Sequence, residues 1–73
     1  GALPIAYNGA NEVAAALFLQ GKLPFLEIGT LVAYAMERIG RGEPRDLQDI
    51  CRLDAQARQL AREKAAQLAS AWR

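Results

Sequence analysis

The sequence predicts an all-α fold, a small helical bundle of three to four antiparallel segments. Two observations lead there. Apolar residues recur at spacings of three and four along successive stretches that end at glycines, and no stretch shows the alternation of a half-buried strand, apart from a brief LPIAY at the start. The 73 residues make one domain, residues 1–73. Its core is small, since a chain this short buries only about 60% of the surface that its unfolded form exposes. Apolar residues make up 52% of the chain, many of them Ala, so the helices must approach closely to bury enough area.

In the first segment Asn8 reads as an N-cap, with Glu12 in the first turn, where a carboxylate faces exposed N–H groups and the helix dipole. Val13, Ala14, Leu17 and Phe18 form the stripe and Gly21 stops it, giving a helix over about residues 9–19. After the GKLP turn, Ile28, Leu31, Val32, Ala35 and Ile39 share one face of a second helix, about 27–39, which Gly40 ends. Pro24 precedes it harmlessly, Leu26 is a poor N-cap, and Gly29 weakens the first turn by roughly 0.5–1 kcal/mol relative to Ala. GRGEPR is a loop. Asp46 then caps a third helix, with Asp49 three residues on as a weak capping box and Leu47 and Ile50 opening a stripe. Asp54 reads as a second cap, dividing this region into helices over about 46–52 and about 55–71. The spacing of Ile50, Leu53, Ala57, Leu60, Ala61, Lys64, Leu68 and Trp72 also fits a single helix; the divided reading is preferred. Asp54 and Arg58 form an acid-first i,i+4 pair in either case, and Trp72 anchors the terminal turn.

Composition excludes several functions. Nine basic and eight acidic residues leave a charge of +1, no basis for binding nucleic acid or an anionic membrane. No apolar run approaches the roughly 18 residues of a membrane span, and no secretion signal opens the chain. One Cys and no His exclude an internal disulfide and the usual zinc constellations, which fits a reducing, cytoplasmic setting. The polar cluster NGANE could be a catalytic group, an anion contact or a helix cap. Glu12 opposes an anion at that helix start, and Asn8, Asn11 and Glu12 lack a nucleophile, His or metal partner, so the cap is the better reading. Cys51, after a core Ile, reads as a half-buried packing thiol rather than a nucleophile. Arg52, Arg58, Arg62 and Lys64, interleaved with Asp54 and Glu63, read as a solvated face. No phosphate loop, catalytic carboxylate pair or Ser–His or Cys–His arrangement occurs. The expected site is therefore empty of catalytic, cofactor-binding and metal-binding residues.

The stretch GALPIAYNGANEVAAALFLQGKLPFLEI resembles the signature of the C-terminal helical domain of the 1-deoxy-D-xylulose 5-phosphate reductoisomerase family: a Pro, then Leu-Asn-Ala-Ala-Asn-Glu, an apolar helix, a Gly-Lys-like turn, and Phe-x-(Asp/Glu)-Ile. LQDICRLDAQARQLAREKAAQLAS is similar to the family's final helices. The signature positions are Asn8, Asn11, Glu12, Phe25, Ile28, Asp54 and Arg58. Tyr7 stands where Leu is usual, Gly9 where Ala is usual, and Leu26 where a capping Thr is common. The resemblance implies a non-catalytic structural domain of an enzyme that isomerises and reduces 1-deoxy-D-xylulose 5-phosphate to 2-C-methyl-D-erythritol 4-phosphate in the non-mevalonate isoprenoid pathway. It implies NADPH and a divalent metal (Mg, Mn or Co) in the parent enzyme and none in this segment, a catalytic domain of the same chain as partner, and a parent homodimer. No activity is expected of the segment alone. The family's bundle has about four helices, and GALP, without an initiator Met, fits a segment lacking the first. The expectation is then an exposed stripe including Leu17, Leu31 and Ile39 that drives self-association or lowers stability. The alternative is an independent helical module that binds a partner helix in an apolar groove; a small nucleic-acid-binding bundle is weaker, its charges nearly cancelling.

Overall fold

A computed structural model describes residues 1–71 of the chain. Three helices, α1 (Ala2–Leu19), α2 (Glu27–Ile39) and α3 (Leu47–Ala71), pack on one another, and no strand occurs among the described residues. The all-helical expectation holds. Helix α2 returns the chain toward its start, where the Ala2 N–H donates to the Gly42 carbonyl at 2.9 Å. Helix α3 then runs in the same direction as α1, with Gly9 against Asp54, Glu12 against Arg58, and Leu17 near Arg62 and Ala65.

Helix α1 begins near Ala2, about two turns before the expected position. Pro4 falls at the third helical residue, where its missing N–H would have had no intrahelical partner, so the LPIAY entry is helical rather than extended. Asn8 is consequently interior and exposed, and makes no cap; Glu12 lies mid-helix rather than in a first turn. The end of α1 follows expectation and is a Schellman motif. Gly21, at φ 73°, donates to the Phe18 carbonyl at 3.0 Å, and Lys22 donates to the Leu17 carbonyl at 2.8 Å.

Leu26 gives α2 no side-chain cap, as its chemistry dictates. The orphan donors of Glu27 and Ile28 find the Pro24 and Phe25 carbonyls at 3.0 and 3.1 Å, a tightened entry turn that substitutes for a cap. Gly40, at φ 77°, ends the helix and donates to the Met36 carbonyl at 3.0 Å.

Asp46 caps α3 as expected, its Oδ1 accepting the Asp49 N–H at 2.8 Å. Asp49 reaches back to the Arg45 N–H at 2.9 Å, one residue before the position that a strict capping box would use. The divided reading of this region is wrong: α3 is one helix of 25 residues. Nothing between Leu47 and Ala71 breaks a helix, since neither Gly nor Pro occurs there, and the Asp54 carboxylate turns to Arg58 instead of capping a new start.

The core consists of Ala2, Ala6, Ala10, Val13 and Ala14 from α1, Leu23 from the turn, Leu31, Val32 and Ala35 from α2, and Ala57 and Ala61 from α3. Seven of these eleven are Ala, so backbone proximity and not bulk fills the interior. Leu31 is the largest side chain that is fully enclosed. This overturns the expected exposed stripe: Leu31 is 0% exposed, and Leu17 and Ile39 pack partly buried against the core. Two further expectations change at the start of α3. Leu47 and Ile50 are exposed rather than core, at 72% and 40%, and Cys51 is exposed rather than half-buried. The role given to Trp72 lies outside the described residues.

Candidate functional site

The structure brings three of the seven signature residues together. Gly9, buried in α1, lets that helix approach α3 closely at Asp54; a Cβ there would lie 2.8 Å from Asp54 Oδ1 and 3.2 Å from the Asp54 carbonyl oxygen. Three residues on from this crossing, Glu12 faces Arg58. The guanidinium donates through Nη2 to Glu12 Oε1 and Oε2 at 3.2 and 3.3 Å, and through Nε to Asp54 Oδ2 at 2.9 Å. One cation thus holds two carboxylates, one on each helix. The hydrogen bond to Asp54 and then that to Glu12 raise the Arg58 pKa above its ordinary value, so the group stays charged throughout any accessible pH.

The remaining signature residues are dispersed. Asn8 is exposed on α1. Asn11 and Ile28 line a shallow groove of about 410 Å³ between α1 and α2, together with Tyr7, Gly29, Val32 and Met36. Phe25, 66% exposed, meets Phe18 edge-on with ring centroids 5.5 Å apart, across the GKLP turn. With Leu19 and Leu26, 82% and 85% exposed, this pair forms an apolar tip at one end of the bundle.

Sequence reasoning noted Gly9 only as a departure from the family's usual Ala, and missed its packing role and that of Tyr34. A glycine inside a helical stripe is itself a signal of close backbone approach. Tyr34 on α2 takes Arg38 at 4.7 Å and Lys64 of α3 at 5.2 Å from its ring centroid, which ties α2 to α3. No sequence spacing announces the second contact. At the start of α3 the Arg45 N–H, and next the Arg52 guanidinium, hold the Asp49 carboxyl below its usual value.

The donor set does not fit a divalent metal. Glu12 and Asp54, the carboxylates brought together, are bridged by a guanidinium, and no group of three His, Cys, Asp or Glu that could hold an ion occurs among the described residues. No helix of the described residues is long and apolar enough to cross a membrane.

Comparison with known proteins follows the same residues. Residues 1–60 match the family described as "DXP reductoisomerase C-terminal domain". The chain is 45% identical over 62 residues to the 1-deoxy-D-xylulose 5-phosphate reductoisomerase of Nitrosomonas eutropha, covering 85% of this chain and 15% of that protein. It is 38% identical over 64 residues to the reductoisomerase of Clostridium botulinum, covering 88% of this chain and 17% of that protein. The chain therefore spans about one sixth of the length of these relatives. No solved structure matches it.

Proposed function

The chain belongs to the family of DXP reductoisomerase C-terminal domains, and from that premise we propose that it is a non-catalytic structural domain that braces the catalytic part of the enzyme. The observation that carries this reading is the use of the charged signature residues. Glu12, Asp54 and Arg58 engage one another across α1 and α3 and so tie the two helices together. The single domain over residues 1–73 is a segment of the larger enzyme, and all seven signature positions act structurally. The parent reaction is the isomerisation and NADPH-dependent reduction of 1-deoxy-D-xylulose 5-phosphate to 2-C-methyl-D-erythritol 4-phosphate, with a divalent metal, in the cytoplasm. Cofactor, metal and substrate groups belong to the catalytic domain of the same polypeptide, and the parent is a homodimer.

The test is complementation. The Nitrosomonas eutropha relative, truncated before its C-terminal domain, is assayed by NADPH oxidation with and without this chain added. Recovery of activity and a raised melting temperature on mixing are the expected results, with no turnover by this chain alone. Turnover by the chain alone, or mixing that changes neither activity nor melting, would reject the reading. The apolar tip of Phe18, Leu19, Phe25 and Leu26 favours a second reading, an independent interaction module. That reading expects no gain on mixing and an unrelated partner.

A further inference from the structure

We draw no further inference here: the strongest candidate, the exposed apolar tip that Phe18, Leu19, Phe25 and Leu26 form at the α1–α2 turn, carries nothing because no feature of the structure shows what covers it.

Discussion

Replacing Gly9 by Ala and, separately, Gly29 by Ala should shift stability in opposite directions, although both glycines lie inside helices. Intrinsic propensity favours Ala over Gly by about 0.8–1 kcal/mol at either position. At Gly29, on the exposed face of α2, a Cβ meets nothing within 4 Å, so that gain is realised. At Gly9 the new carbon arrives 2.8 Å from Asp54 Oδ1, 3.2 Å from the Asp54 carbonyl oxygen and 3.4 Å from Arg58 Cγ. The carboxylate can rotate away only by weakening its bond to Arg58, while the carbonyl belongs to the α3 backbone and can retreat only if the helices separate. Overpacking of this kind costs about 1–3 kcal/mol, which outweighs the propensity gain and leaves a net loss of about 1 kcal/mol. For a domain of this size that lowers the melting temperature by about 4–8 °C, whereas Gly29→Ala raises it by about 3–8 °C. Thermal unfolding followed by circular dichroism at 222 nm reads both shifts. A Gly9→Ala protein that melts as high as Gly29→Ala would refute the argument that α1 and α3 touch at this point.

Leu31→Ala empties the position of the largest fully enclosed side chain among the described residues and should cost about 2–5 kcal/mol, enough to abolish a cooperative melting transition in a domain this small. Asp46→Ala removes the cap of α3 and should cost about 0.5–2 kcal/mol, seen as a lower urea midpoint, with Asp46→Asn close to the parent. The Asp49 carboxyl titrates lower in the folded chain than in the unfolded one, so its contribution is present above the unfolded value and is lost as pH falls through the folded value. The stability difference between the parent and Asp49→Asn should therefore shrink as pH drops below about 4, and a difference constant down to pH 2 would contradict the assignment. Arg58→Met should lower stability by no more than about 1 kcal/mol per lost pair, because Glu12 and Asp54 are 52% and 35% exposed, and by less in high salt. A larger, salt-independent loss would mean that the bridge is worth more than an exposed ion pair.

The parts of this fold that were legible in the sequence are those set by local chemistry. Gly21 and Gly40 stop helices because each supplies a positive φ at the end of an apolar stripe, and Asp46 starts one because its side chain reaches a free N–H three residues on. The start of α1 was not legible, since Asn8 has a cap's chemistry and Pro4 a breaker's, and only the burial of Ala2 and Ala6 decides for the longer helix. Asp54 misled in the same way. Its local preference points to a cap, and its partner Arg58 overrides it within a single continuous helix. The inter-helix bond from Arg58 to Glu12 spans 46 positions and leaves no periodic trace, so the pairing of signature residues emerged only from the packing.

The alanine interior has a consequence for register. Where alanines meet, two helices have little side chain to interlock, so resistance to an alignment shifted by one turn, about 5.4 Å along the axis, falls to the few larger residues, Val13 and Leu17 on α1 and Leu60 and Leu68 on α3, and to polar contacts. A slip of α1 along α3 by that distance would carry Glu12 away from Arg58 and move Gly9 off Asp54, placing a larger neighbour at the closest approach. The polar bridge adds little free energy, yet together with one missing Cβ it favours the observed alignment over one shifted by a turn.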